Sequence, residues 1–139
     1  MLLVSDRVSQ CQFIRKRLLE ASTGASVGLY VGSVDGRRVT KEQLEVAKGC
    51  DVVLATYGMM SEGTDIPELD TLFFGTPRSD VEQVVGRIQR FCDGKKSLLI
   101  VDPVFQTPYM RKLAIKRERL YKKLEFTKQE KQNARVVKG

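Results

Sequence analysis

The stretch "TLFFGTPRSDVEQVVGRIQRFCDGKKSLLIV", residues 71–101, decides the fold. It opens and closes on continuous apolar runs, 71–75 and 97–101, which read as buried strands. Between them, residues 79–91 read as a helix. Ser79 followed three residues later by Glu82 is a capping box, in which each side chain would satisfy an exposed backbone N–H. Val81, Val84, Val85 and Ile88 recur at i, i+3, i+4 and i+7 and form one apolar face. Strand, helix, strand in such short compass predicts parallel pairing, because parallel neighbours need a crossover between them. The same helix carries a second stripe on its far side: Gln83, Gly86, Arg87 and Arg90. A helix that only had to cover a sheet would need the valine face alone. Glycine inside a helix costs about 0.5–1 kcal/mol relative to alanine. A glycine beside two guanidinium groups therefore suggests close approach by an anion.

Outward from this unit the pattern repeats. Residues 2–5 and 27–31 are short apolar runs, and 51–55 is a third. Val8, Cys11, Ile14 and Leu18 mark a helix after the first run, with Arg15, Lys16 and Arg17 largely outside. The segment 32–38 is a glycine-punctuated loop. Thr40 with Gln43 is another capping box, opening a helix that stops at Gly49. Residues 56–70 form a long irregular loop with one helical turn inside. Beyond the fifth strand, Met110, Leu113, Ala114, Tyr121 and Leu124 predict an amphipathic helix to about residue 125, and the last dozen residues read as a frayed end. The expected fold class is α/β, a parallel β-sheet with helices on both faces plus a basic C-terminal helix. Ligands of such sheets gather outside the carboxyl ends of the strands. The loops that begin at Ser5, Gly32, Thr56 and Gly75 should share that edge.

Composition narrows the function. At 139 residues the chain suits one domain with one sizeable core, and no internal repeat or linker divides it. No apolar run approaches the roughly 20 residues of a membrane helix, and the start "MLLVSDR" lacks the features of a signal peptide. Cys11, Cys50 and Cys92 are odd in number and widely spaced, fitting neither a disulfide framework nor a zinc site. They read as reduced, mostly buried thiols. The absence of histidine excludes histidine catalysis and histidine metal ligation within this chain. The net charge of +7 is uneven: residues 1–109 carry 13 basic and 14 acidic side chains, and residues 110–139 carry 11 and 3. A basic segment of that kind favours a polyanion.

Two stretches taken together, "ATYGMMSEGTDIPELDTLFFGTP" (55–77) and "QVVGRIQR" (83–90), resemble motifs V and VI of superfamily 2 helicases and translocases. The residues around them are similar to the second, C-terminal RecA-like domain of that family. "LLVSDRVSQCQFIRKRL" (2–18) resembles the motif IV strand and helix, and "LYVG" (29–32) the strand and loop that follow. The resemblance covers about residues 2–102, so residues 1–105 are expected to form the RecA-like domain. Residues 106–125 would be a basic helix packed on it, and 126–139 a flexible basic tail.

The resemblance implies a set of roles. Arg90 corresponds to the arginine finger that reaches the γ-phosphate of ATP across a two-domain cleft, and Arg87 to a second phosphate contact. Planar, permanently charged guanidinium groups suit the charge that builds up in phosphoryl transfer. Gln83 would sit at the nucleotide edge, Gly86 would permit the approach, and Gly63 and Asp65 match the family's G-x-D. Thr56 matches the threonine that holds a nucleic-acid phosphate, and Ser5, Arg7 and Gly32 would line the same groove. For Asp65 an N-cap or Asx turn before Pro67 is an alternative reading. For Ser5, Arg7 and Gly32 ordinary capping and turn roles are alternatives.

The sequence contains no G-x-x-x-x-G-K-S/T phosphate loop and no D-E-x-D/H metal motif. By the resemblance those belong to an N-terminal RecA-like domain, which would hold Mg²⁺ and complete the ATP site. The chain thus reads as half a motor, inactive alone, whose partners are nucleic acid and that second domain. Glutamine at position 83, where DEAD-box RNA helicases usually carry histidine, tilts the reading toward DNA-directed repair, recombination and phage branch-migration helicases. The expected location is the cytoplasm of a bacterial or phage-infected cell, or the nucleus of a eukaryote, with no membrane partner. Three alternatives remain: an RNA-directed helicase domain, a degenerate RecA-like module that binds nucleic acid without supporting hydrolysis, and an unrelated α/β phosphate-binding domain.

Overall fold

The computed structural model describes residues 1–61, 70–76, 78–92, 99–131 and 134–138; for Arg87, residues 89–92 and the strands beyond 126 the description is of the backbone. Five apolar strands form a parallel sheet: β1 (Leu2–Ser5), β2 (Val27–Tyr30), β5 (Val52–Thr56), β6 (Thr71–Phe74) and β7 (Leu99–Pro103). Their order across the sheet is β2-β5-β1-β6-β7, so β1 lies at the centre. Its register places Ser5 beside Thr56 on one side and Val4 beside Phe74 on the other.

Alternation along these strands feeds two cores. Leu2 and Val4 of β1 and Val53 and Ala55 of β5 face one layer of helices. Leu3 and Leu54, between them, face the other. Helix α1 (Val8–Glu20) covers the second face through Val8, Cys11 and Ile14. Helices α2 (Lys41–Lys48), α4 (Glu82–Cys92) and α5 (Pro108–Lys123) cover the first. The short helix α3 (Tyr57–Ser61) runs directly out of β5 and buries Tyr57 and Met60 in the same core. Helices thus lie on both faces of a parallel sheet, the expected α/β, RecA-like class.

The apolar face of α4 is fully used. Val81, Val84, Val85 and Ile88 are each no more than 2% exposed. Burying such side chains contributes about 1.5–3 kcal/mol apiece, which outweighs the cost of the glycine in their midst. The helix begins at Glu82, however, with the Val85 N–H bonded to the Val81 carbonyl. Ser79 therefore stands three residues ahead of the first helical residue instead of capping it, because residues 78–81 are drawn into tertiary contacts described below. The box at Thr40 does form: Thr40 Oγ1 accepts from Gln43 N–H, and Gln43 Oε1 from Thr40 N–H. Close packing of α2 on the sheet explains one glycine. A Cβ on Gly28 would lie 2.7 Å from Ala47 Cα.

Two segments differ from their sequence reading. The loop 32–38 contains a small hairpin of β3 (Ser33–Val34) and β4 (Arg37–Arg38), joined through Asp35 (φ 49°) and Gly36 (φ 77°). Positive φ at both central residues marks the type I′ turn, which Asp-Gly favours. At the C-terminus, the expected frayed end forms β8 (Thr127–Lys131) and β9 (Ala134–Lys138). Strand β9 pairs antiparallel with β7 from Leu99↔Lys138 to Pro103↔Ala134, and β8 pairs with β9. A sheet edge exposes unpaired N–H and C=O groups, and this hairpin satisfies those of β7. "TKQEK" is too polar to read as a strand by its side chains, so its backbone role left no periodic signal.

Candidate functional site

The connection leaving β1 runs toward β2 on one side of the sheet, and the connection leaving β6 runs toward β7 on the other. The carboxyl ends of β1 and β6 therefore form a topological switch point, where doubly wound sheets open a crevice. Three side chains close this point from within. Ser5 Oγ is hydrogen-bonded to Gln10 Oε1 and lies 3.1 Å from Thr76 Oγ1. Thr76 Oγ1 donates to Gln10 Oε1 at 2.8 Å and accepts from the Asp6 N–H. Gln10 Nε2 donates to the Gly75 carbonyl at 3.1 Å.

Of the expected strand-contacting residues, Gly32, Thr56, Ser5 and Arg7 come together along the ends of the adjacent strands β2, β5 and β1. Their surroundings differ. Ser5 is fully buried, its hydroxyl engaged inside the fold. Arg7 is exposed at the N-cap of α1 with no capping bond from its side chain. Gly32 is exposed, and its carbonyl accepts from Val39 N–H at 3.0 Å. Thr56 is half-buried and leads straight into α3.

Across the switch point stands α4. Gln83 is exposed, and a Cβ built on Gly86 meets no atom within 4 Å. The side of the helix opposite the valines is thus open at Gly86. Arg87 and Arg90 occupy helical positions on that same stripe, and their side chains lie outside the described residues, as do Gly63 and Asp65 entirely. A cleft of about 460 Å³ runs between α3, the start of α4 and α5, lined by Tyr57, Arg78, Gln83, Lys116 and Leu120 among others.

A buried ionic network, absent from the sequence reading, fixes how α4 begins. Arg117 of α5 and Asp102 of β7 are both fully buried. Arg117 donates from Nε to Asp102 Oδ2 at 2.9 Å and from Nη2 to Oδ1 at 2.7 Å. Tyr121 Oη donates to the same carboxylate at 2.9 Å. The remaining guanidinium nitrogen, Nη1, donates to the Arg78 carbonyl at 2.8 Å, just ahead of α4. Burial works against the Arg117 charge, but the hydrogen bonds and attraction of Asp102 outweigh it, so its pKa is raised. Arg78 in turn stacks 4.7 Å from the Tyr57 ring centroid and pairs with Asp6 at 3.4 Å and Asp80 at 3.1 Å. Tyr57 Oη donates to the Thr76 carbonyl at 2.8 Å; burial, aided by Asp6, pushes that hydroxyl up and keeps it protonated. One signal of this network was available in the sequence. Arg117 falls on the apolar stripe of its helix, three residues after Ala114 and four before Tyr121, where an unpaired charge could not be buried.

Cys11 and Cys50 take no part in this network. Cys11 is buried, and desolvation pushes its thiol up to about 11; Cys50 is half-buried. The Cys92 side chain lies outside the described residues. Among the described residues no group of three or more Cys, Asp or Glu side chains could hold a metal ion. None of the helices described is long and apolar enough to cross a membrane.

No family model and no solved structure matches the chain. Two curated proteins do. A protein of Acanthamoeba polyphaga mimivirus, assigned as an ATP-dependent RNA helicase, is 32% identical over 90 residues, 64% of this chain and 16% of its own length. A protein of Escherichia phage T5, assigned as a helicase, is 36% identical over 111 residues, 76% of this chain and 24% of its own length. The chain therefore spans a quarter or less of each relative, and its parallel α/β sheet fits a domain of such a protein.

Proposed function

We propose that this chain acts as the second RecA-like motor domain of a superfamily 2 helicase or translocase that moves on DNA at the expense of ATP. The observation that carries the reading is the two-sidedness of α4. Val81, Val84, Val85 and Ile88 pack into the core, while Gln83 and Gly86 stand on the other side with open space at the glycine. The stripe shared with Arg87 and Arg90 then supplies one wall of a composite ATP site. A domain bearing a phosphate loop supplies the other wall and the Mg²⁺. Similarity to two helicases supports the general class.

In this reading Arg90 neutralises charge developing on the transferred phosphoryl group, and Arg87 holds a second phosphate oxygen. Gln83, Gly63 and Asp65 border the nucleotide. Closure of the two domains on ATP brings the strand-facing edge, with Thr56, Arg7 and Gly32, onto the nucleic-acid backbone. The backbone of the Ser5 loop contributes there, its hydroxyl being committed to Gln10 and Thr76.

The test is the ATPase of the chain in complex with its phosphate-loop domain. Arg90→Ala should lower kcat by about 10³-fold or more, the scale of arginine fingers in related chemistry. KM for ATP should stay within a few-fold, because the loss falls on the transition state. The chain alone should show no Mg²⁺-dependent turnover. Near-normal kcat in Arg90→Ala, or robust turnover by the isolated chain, would remove the motor-domain reading.

A further inference from the structure

Helix α5 presents a charged face that the core does not use and of which Lys116 alone lines the cleft beside Gln83. Its inner side is consumed by Ala114, Arg117, Leu120, Tyr121 and Leu124. Its outer side carries Arg111, Lys112, Lys116, Arg119, Lys122 and Lys123, all exposed. Among the described residues only one of these six forms an ion pair, Lys123 with Glu82 at 3.6 Å. From residue 111 to 123 the row extends over about 18 Å of helix. At its N-terminal end stand two exposed aromatic residues, Tyr109 (66%) and Phe105 (50%).

Folding alone does not account for this face. The helix dipole favours Lys122 and Lys123 in the last turn. It disfavours Arg111 and Lys112 near the first, where acidic side chains belong and none is present. The row is therefore built against its own local electrostatics at one end. A row of cations with exposed aromatic rings at one end matches a single strand of nucleic acid: phosphates for the cations, unstacked base faces for the rings. An anionic membrane surface would need a broad apolar helix face, and α5 exposes only Ile115 and Tyr109 as large apolar side chains among the described residues.

We infer that the outer face of α5, with Tyr109 and Phe105 at its head, is a second binding surface for single-stranded nucleic acid, distinct from the residues Gly32, Thr56, Ser5 and Arg7 at the ends of β2, β5 and β1. It requires neither ATP nor a second domain, so it stands or falls independently of the motor reading.

The experiment measures binding of the whole chain to a fluorescent oligonucleotide across a salt series without nucleotide. Lys112→Gln/Arg119→Gln/Lys122→Gln should weaken binding at least tenfold at low salt. It should also make the slope of log K against log salt shallower by roughly 2, given about 0.7 per lost single-strand contact. Arg15→Gln/Lys16→Gln/Arg17→Gln, on α1 across the sheet, removes the same charge and should change binding less than threefold. Tyr109→Ala should weaken single-strand binding roughly tenfold with the slope unchanged, because stacking involves no counterion. Circular dichroism and thermal melting check that each variant is folded. Equal losses from the α1 and α5 triple variants would mean that overall charge, not this face, does the binding. Unaltered affinity in Tyr109→Ala and Phe105→Ala, or tighter binding to anionic vesicles than to the oligonucleotide, would overturn the single-strand assignment.

Discussion

Arg117 and Asp102 show what single residues contribute here. Each is buried without solvent, and each is acceptable only because the other is present. Removing one partner leaves an uncompensated charge and should cost about 3–5 kcal/mol, a large part of a domain's total stability. Asp102→Leu or Arg117→Met should accordingly lower the urea midpoint sharply, whereas the double variant should recover much of the loss. A double variant as unstable as the sum of the singles would show that the network is more than a matched pair. The stripe of Gln83, Gly86, Arg87 and Arg90 was legible in the sequence by its helical spacing, and Gln83 stands exposed on it. Polar residues that work inside were not. Ser5 looked like a loop hydroxyl, yet its partners Gln10 and Thr76 are 5 and 71 residues away. Only the pairing of β1 with β6 brings the more distant one into reach.

At the level of elements, the apolar runs of β1 and β5 were readable because they are buried on both sides, and those of β2, β6 and β7 because even their half-buried positions carry mostly apolar residues. The helices were readable by their 3.6-residue spacing. Element ends were harder. Thr40 caps as its spacing suggests, while Ser79 does not, since tertiary contacts at Arg78 and Val81 compete with the local box. Gly86 offers a test of why α4 tolerates a weak helix former. Its position has room for a methyl group, so Gly86→Ala should raise stability by about 0.5–1 kcal/mol. In the proposed complex with a phosphate-loop domain the same change should lower ATP turnover if a phosphate passes close to that backbone. A stabilised variant with undiminished turnover would leave the glycine without a nucleotide role. The terminal hairpin makes a second prediction. Deleting residues 126–139 uncovers the edge of β7 and removes the buried Phe126, so the thermal midpoint should fall and self-association should increase. A fully stable, monomeric truncation would show that β8 and β9 contribute nothing to the sheet.

For the molecule as a whole, one carboxylate ties pH to the integrity of the sheet's outer edge. Asp51 precedes β5 and accepts the Ser26 N–H at 2.9 Å and its hydroxyl at 3.2 Å, next to the start of β2. These bonds hold its carboxyl below the ordinary 3.8. A depressed acid stabilises the folded state above its unfolded value and loses that contribution as pH falls through the folded one. Stability should therefore decline below about pH 4, and Asp51→Asn should flatten that acid limb while lowering stability at neutral pH. An acid limb identical in the variant would assign the decline to other carboxylates. Strand order was the part of the architecture least open to sequence reading, because an apolar run records its burial and not its neighbours. That order is what sets Arg117 where it is. Three of its nitrogens grip a strand end and the threshold of α4, while the helix that bears it turns a row of cations outward. The α5 row and the start of α4 are thus tied to one frame through Arg117. Tension drawn along a polymer lying on α5 would reach the start of α4 through that contact, as a pull on a handle reaches the blade.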